Sequence, residues 1–421
     1  MKRNSETLQV SAERPAYGGL SIARVDGAVL FIKGAIPGEI VEAVIDEQKK
    51  DYSFGTAVNI ITPSRDRIKP ACKYFGACGG CQLQYISYER QVSLKEEILS
   101  DSVRRGAKID MPLSASLYDE NPWRYRHRGQ FKVSGDTIGF FREKSREIVD
   151  IDSCPLMIDE INELLAKTSL LLKSEPEMFQ AISEIHISYG DTGIALLKVL
   201  EKSGLPLDAA KIASTMLGAG FGGICIEPAR GRPGFFGKHH TTFDLEGIKY
   251  AVSPQSFFQG HWRLNRSIVR LTREALQPLA GKKIIDLYSG AGNFALPLAL
   301  DAKEVIAIED SSSAINDGKR NAKLNNIDNC RFVKCAAEQI DEVGACDVLV
   351  LDPPRAGLTN RVMNKILALE PERIAYISCN PATFARDLKK LLVKYEMESL
   401  RLIDFFPQTY HIESAGFFRL R

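Results

Sequence analysis

Residues 282–294 read KKIIDLYSGAGNF, and the helix-prone run ALPLAL follows at once. An apolar strand that breaks into closely spaced glycines and then a helix marks the first unit of a doubly wound α/β sheet. Glycine lets the backbone approach a ligand closely at a helix N-terminus, where unpaired N–H groups await acceptors. The string from Gly290 to Ala295 satisfies G-x-G-x-x-G/A, and Glu309 closes the next strand, EVIAIE. A carboxylate about twenty residues beyond such a loop can accept hydrogen bonds from ribose hydroxyls. On this motif alone, a nicotinamide cofactor and S-adenosylmethionine fit equally well.

Working outward, CRFVK, DVLVLD and RIAYISC are further apolar strands, most of them separated by helical stretches. Residues 251–421 therefore read as a mainly parallel sheet whose ligands bind at the carboxyl ends of strands. DVLVLD runs into Asp352-Pro353-Pro354-Arg355, where a rigid Pro-Pro turn fixes a carboxylate and a guanidinium over the site. RIAYISC ends in Cys379, followed by Asn380-Pro381. A cysteine beside the positive N-terminus of the next helix is expected to favour its thiolate. Cys330, Cys335 and Cys346 read as inert core thiols. Near the end, DFFPQTYHIES returns to the same sheet edge and aims Glu413 into the site, with His411 as an alternative base or an orienting residue.

Length and composition agree with a multidomain globular chain. At 421 residues two or three domains are expected. Apolar residues make up 44% and charged ones 26%, the balance of a chain with ample core. No apolar run approaches the ~18 residues of a membrane span, so no membrane partner is expected. The start, MKRNSETLQV, has no apolar run behind its basic residues, so a cytoplasmic protein without a secretory signal is expected. A net charge of +2 means that a nucleic acid would be met by local patches.

Three segments follow. Residues 1–63 carry short alternating runs such as GLSIARV, GAVLFIK, EIVEAVI and FGTAVNIIT. They read from about residue 4 as an OB-type barrel of roughly five strands, a fold often used for single-stranded nucleic acid. Residues 64–250 form a central α/β domain with a cysteine site, including a helix around Leu207–Leu217. Residues 251–421 are the doubly wound domain.

The nine cysteines point to ligation or catalysis, not to a disulfide framework. Cys72, Cys78 and Cys81 read C-x5-C-x2-C, with Gly79-Gly80 allowing a tight loop, and Cys154 is the best fourth ligand. Structural zinc and an iron–sulfur cluster both suit such a set, and composition does not separate them. Nearby, PWRYRHRGQFK mixes charge with aromatics. As a strand it would put Arg124, Arg126 and Arg128 on one face, with Lys132 beyond them. Arg263, Arg266, Arg270 and Arg273 follow helical spacing, as an RNA-facing stripe or an ordinary solvated face.

Taken together, DLYSGAGNF, LDPPRAG, SCNPATFARDL and FPQTYHIES, in that order, resemble the S-adenosylmethionine-dependent RNA uracil-5-methyltransferases. With the barrel, which resembles a TRAM domain, and the four cysteines, the match spans nearly the whole chain. It is closest to the branch that methylates 23S rRNA, so an rRNA substrate is favoured over tRNA, for a monomeric enzyme. The resemblance implies a [4Fe-4S] cluster on Cys72, Cys78, Cys81 and Cys154. It implies an S-adenosylmethionine pocket of Gln259, Tyr288, Asn293, Glu309 and Asp352, and Phe257 stacked on the target base. Ala336 and Ala337 stand where the family often has a polar residue near the adenine. Cys379 would add to uracil C6 and Glu413 would remove the C5 proton; Arg355 would steady the developing negative charge.

Three rival readings are weaker. A cytosine-5 RNA methyltransferase would carry a further cysteine in the loop that here reads DPPR. Cys379 together with Glu413 argues against a non-catalytic RNA-binding protein. Nothing after Glu309 supports a nicotinamide oxidoreductase.

Overall fold

The computed structural model describes residues 7–200 and 207–421; the barrel's expected start near residue 4 lies outside them. The first sheet has the order β1-β5-β6-β4-β3-β2. Its strands are β1 (Thr7–Ser11), β2 (Arg14–Ala16), β3 (Leu20–Val25), β4 (Ala28–Lys33), β5 (Ile40–Gln48) and β6 (Tyr52–Thr62). β1 and β2 are one strand bent at Ala12-Glu13: the first half pairs with β5 and the second with β3. That bend closes the sheet on itself and removes its free edges. The expected five-stranded barrel is thus present with its first strand split. Its interior is aliphatic, with Ala23, Leu30, Ile32 and Val41 fully buried.

Helix α1 (Tyr88–Gly106) precedes a second sheet of seven strands ordered β13-β12-β11-β10-β7-β8-β9. These are β7 (Arg128–Ser134), β8 (Thr137–Phe141), β9 (Ile148–Asp150), β10 (Ile182–Tyr189), β11 (Gly193–Val199), β12 (Gly223–Glu227) and β13 (Gly234–Gly237). Helices α2 (Asp159–Ser174), α3 (Pro176–Phe179) and α4 (Ala209–Gly218) accompany it. The Asp208 carboxylate caps α4 by accepting from the Lys211 N–H at 2.9 Å, close to the helix expected there.

Two expectations about this region fail. Arg124, Arg126 and Arg128 do not share a strand face, because β7 begins only at Arg128 and Arg124 has a left-handed φ of 51°. Nor is 64–250 one unit. Apolar residues of α1 join the core of the third sheet, and Gly106 lies so close to Ala385 that a Cβ would come within 2.7 Å of it. The hairpin β14 (Thr241–Leu245) and β15 (Ile248–Val252) also packs into that third core. Amphipathic patterning shows which face of such an element is buried, not which domain covers it.

The third sheet has the order β18-β17-β16-β19-β20-β22-β21. Its strands are β16 (Lys283–Leu287), β17 (Glu304–Glu309), β18 (Cys330–Lys334), β19 (Val348–Leu351), β20 (Arg373–Ser378), β21 (Tyr395–Ile403) and β22 (Glu413–Leu420). Helices α5 (Trp262–Ala275), α6 (Ala295–Ala299), α7 (Ser312–Leu324), α8 (Asn360–Leu369) and α9 (Pro381–Leu391) cover it. Alternation along each strand feeds two cores: Ile284, Val348 and Val350 face one, and Ile285, Leu349 and Leu351 the other. Strands β16 to β20 are parallel and diverge in order between β16 and β19, the switch point at which such sheets bind ligands. β22 runs antiparallel to β20, so its N-terminal end stands among the carboxyl ends of its neighbours.

Candidate active site

A cleft of about 750 Å³ opens at the switch point. The strand ends supply Tyr288 and Gly290 after β16, Glu309 on β17, Asp352 to Arg355 after β19, Cys379 after β20 and Glu413 at the start of β22. Phe257 and Gln259 come from the segment between β15 and α5. The sequence-predicted catalytic, cofactor and base-stacking residues are therefore gathered in one place, with one exception. Asn293 does not line the cleft, because its amide exchanges hydrogen bonds with Asn265 of α5 at 2.7 and 3.0 Å.

The loop after β16 needs its special residues. Tyr288 and Gly292 both have positive φ, and a Cβ on Gly292 would sit 2.8 Å from the Phe332 ring. Glu309 ties this loop to β17: one carboxylate oxygen accepts from the Gly290 N–H at 3.0 Å, the other from the amides of Asp310 and Ser311. Ile308, Ala314, Cys335 and Ala337 give the neighbouring wall an apolar surface. Cys335, expected to be inert core, is thus a cleft residue, whereas Cys330 and Cys346 are buried.

Cys379 sits immediately before the N-cap of α9, where the Asn380 side chain accepts from the Ala382 N–H at 3.0 Å and Pro381 opens the helix. The expected thiolate is not the resting form. Burial first, then Glu413 and Asp352, push the Cys379 thiol up to about 11, against the opposing pull of Arg355. A helix N-terminus contributes only a fraction of a charge, and burial together with the two carboxyls outweighs it.

Those carboxyls are themselves displaced. Burial raises Asp352 to about 7. Glu413 is 6% exposed and Oε2 has no hydrogen-bond partner among the described residues. Burial, then Asp352 and Asp404, hold it well above the ordinary carboxylate range. Asp286 was passed over in the sequence, yet both its oxygens are buried without a hydrogen-bond partner among the described residues and burial raises it too. A lone acid inside the apolar run IIDL was the signal that marked it.

His411 takes a supporting place. Its ring lies 3.2 Å from Arg355 Nη2, and burial, then Arg355, lower it to about 4. It is neutral at pH 7 and orients Arg355. The loop carrying it is bolted from behind, by two residues the sequence did not single out and by Tyr125, which is buried here instead of facing RNA. Lys95 of α1, 1% exposed, pairs with Asp404 at 2.6 Å and donates to the Phe406 carbonyl. Gln91 exchanges hydrogen bonds with Gln408, and Tyr125 donates to the Pro407 carbonyl at 3.1 Å.

The remaining candidate residues divide. Phe257 stands 67% exposed at the cleft, free to meet a planar partner. The arginine stripe on α5 is locally satisfied: Arg263 pairs with Asp119, Arg273 with Asp301, Arg270 with Glu246, and Arg266 donates to the Asp244 carbonyl. It is an ordinary charged helix face. Arg128, largely desolvated, donates to the Ser256 carbonyl at 2.8 Å and so supports the segment bearing Phe257.

The four cysteines are all free, on two neighbouring segments. Gly79 is needed for closeness to the β8–β9 hairpin: its N–H donates to the Phe141 carbonyl at 3.0 Å, and a Cβ would come within 2.9 Å of that oxygen. Burial raises Cys81 to about 12, and Cys154, Cys78 and Cys72 add to that rise against a hydrogen bond with Gln84. The four sulfurs are thus within electrostatic reach of one another. Among the described residues, however, no group of three or more His, Cys, Asp or Glu is set up to hold a metal ion.

A family model described as tRNA (Uracil-5-)-methyltransferase matches residues 87–345 and 342–421, and a TRAM domain model matches residues 2–58. A 23S rRNA (uracil(1939)-C(5))-methyltransferase from Shewanella amazonensis is 32% identical over 434 residues, covering 100% of this chain and 97% of its own. An uncharacterized RNA methyltransferase from Aquifex aeolicus is 35% identical over 433 residues, covering 98% and 99%. The crystal structure of Pyrococcus abyssi tRNA (uracil-54, C5)-methyltransferase with S-adenosyl-L-homocysteine shares the fold. Its TM-score is 0.76 at 24% identity, over 98% of this chain and 100% of that one. A TRAM barrel thus stands in front of a domain with the α/β methyltransferase fold. The chain belongs to the tRNA (uracil-5-)-methyltransferase family, the S-adenosylmethionine-dependent RNA uracil-C5 methyltransferases. No helix among the described residues is long and apolar enough to cross a membrane.

Proposed function

We propose that this enzyme methylates C5 of a uridine in 23S rRNA through a covalent bond between Cys379 and C6. The observation that carries the reading is that Cys379 and Glu413 share the cleft, each raised in proton affinity by burial and by its neighbours' charge. Full-length likeness to the Shewanella rRNA enzyme favours rRNA over tRNA.

Uracil C5 is a weak carbon nucleophile, and addition of sulfur at C6 makes it enolate-like. The Cys379 proton must leave as the sulfur adds, and Asp352, near 7, is the carboxyl suited to take it. Arg355, held by His411, faces the charge that develops on the ring. S-adenosylmethionine supplies the methyl group. Tyr288, Glu309 and Gln259 would hold it, with Ile308, Cys335 and Ala337 against its adenine and Asn293 acting from behind through Asn265. Phe257 would stack on the target base. Glu413, as carboxylate, then takes the C5 proton, the C6–S bond breaks, and Cys379 is released.

The four-cysteine donor set suits a [4Fe-4S] cluster better than a hard cation. Cys72, Cys78, Cys81 and Cys154 would hold it as a structural brace, and no step of the transfer passes through it. Incubation with unmodified 23S rRNA and tRNA and labelled S-adenosylmethionine, followed by nucleoside analysis, tests the function. Label in 5-methyluridine from 23S rRNA is expected; label confined to tRNA or to cytidine would overturn it.

A further inference from the structure

A residue from the far end of the chain reaches the cleft's edge through the ring that packs on His411. Tyr17, 38% exposed, leaves the barrel between β2 and β3 and meets the Tyr410 ring edge-on at 5.4 Å. Tyr410 in turn packs on His411 at 4.4 Å between centroids, and His411 contacts Arg355 and lines the cleft. The barrel is held here by a close approach. Gly19 has a φ of 73°, and a Cβ on it would come within 3.0 Å of Gln82 and 3.6 Å of Tyr410. Gln82 and Leu83 both donate to the Gln408 carbonyl, so barrel, cysteine loop and catalytic loop meet at one point. The Tyr17 hydroxyl is raised by burial, then by Tyr410, with smaller effects of Arg355 and Cys379.

Beyond Tyr410 the surface continues as a groove of about 810 Å³ whose lining includes Gly79, Lys132, Arg142, Lys144 and Arg146. Glu184 pairs with Lys132 and Glu147 with Arg142, while Lys144 and Arg146 have no salt bridge among the described residues. An aromatic edge at the cleft mouth that leads into a cationic groove is the arrangement that tracks a single strand.

We propose that Tyr17 and Tyr410 form a stacking platform for a nucleotide flanking the target uridine, and that the RNA strand continues along the groove past Lys144 and Arg146. The barrel thereby contributes to the mouth of the active site itself. A base held there would keep the strand from re-stacking while the target base occupies the cleft. Tyr17 is a positioning residue for RNA and takes no part in the chemistry, so its loss weakens RNA binding alone.

The test rests on the 23S rRNA reading and uses an unmodified 23S rRNA transcript, with binding and turnover measured on the same samples. Tyr17→Ala should raise the KM and Kd for the transcript roughly tenfold, with kcat and the KM for S-adenosylmethionine unchanged. Tyr17→Phe, which keeps the ring, should behave as wild type, and Lys144→Ala with Arg146→Ala should flatten the salt dependence of binding. Unaltered RNA binding by Tyr17→Ala, or a Tyr17→Phe as weak as Tyr17→Ala, would overturn the proposal. A wild type that binds the transcript without methylating it would contradict the substrate reading, while the Tyr17→Ala binding constant would still decide this one.

Discussion

Glu413 and Cys379 each stand one residue beyond the last registered pair of β20 and β22, Ser378 against Ser414. The pairing is antiparallel, so each step up β20 is a step back along β22, and the strand's first residue arrives at the catalytic strand end. A cysteine and a carboxyl from distant sequence are thereby held together by backbone hydrogen bonds and not by a flexible loop.

That relationship governs the acidity of the nucleophile. Glu413 raises the Cys379 thiol and Arg355 lowers it. In Glu413→Gln the midpoint of Cys379 alkylation should move to lower pH, and in Arg355→Ala to higher pH. Both should stay above the ordinary cysteine value, because burial is the largest cause. Iodoacetamide rates against pH, with adducts mapped by mass, measure this. A midpoint unmoved in Glu413→Gln would mean that the two groups are not electrostatically linked.

Glu309 should matter twice, as a ligand and as the clasp on the glycine loop. Glu309→Ala removes the acceptor of the Gly290, Asp310 and Ser311 amides. S-adenosylmethionine binding should weaken roughly tenfold or more, the loss of charged hydrogen bonds. Calorimetry gives the constant, and wild-type affinity in the variant would move the ribose elsewhere.

The Lys95–Asp404 pair lies behind the catalytic loop with both side chains at or below 1% exposure. Lys95→Met leaves a buried carboxylate without its partner and should cost about 3–5 kcal/mol of stability. Adding Asp404→Leu should restore much of that loss, since the orphaned charge is then gone. Urea unfolding of the three proteins checks both signs, and a Lys95→Met as stable as wild type would contradict the role given to the pair.

For the cysteines, anaerobically purified protein should be brown and carry about four irons, the content of a cubane cluster. Cys78→Ser should bleach it and lower its Tm. Zinc in stoichiometric amount with no iron would assign the set to a tetrahedral metal instead.

The sequence was most informative where backbone chemistry is restricted. Gly290, Gly292, Pro353, Pro354 and Pro381 punctuate apolar strands, so the strand ends bearing Tyr288, Asp352 and Cys379 could be read directly. The protonation state of Cys379 could not, because burial, and then Glu413 and Asp352 from two other strands, raise it against the helix end. The membership of α1 was hidden for a similar reason: its apolar face fits any core, and only the close approach of Gly106 to Ala385 shows which. Arg128 misled because alternation was read through Arg124, whose left-handed backbone keeps it out of any strand. Lys95 gave no signal at all, being one charged residue among many on an amphipathic helix until Asp404 is seen beside it.

The covalent mechanism is tested most directly by Glu413→Gln incubated with S-adenosylmethionine and unmodified 23S rRNA transcript, then run on a denaturing gel. This variant can add and methylate but cannot take the C5 proton, so a methylated protein–RNA adduct linked through Cys379 should persist. The same treatment of Glu413→Gln with Cys379→Ala should give none. Free 5-methyluridine product at the wild-type rate, with no retarded band, would contradict Glu413 as the base, and turnover by Cys379→Ala near the wild-type rate would contradict the covalent route.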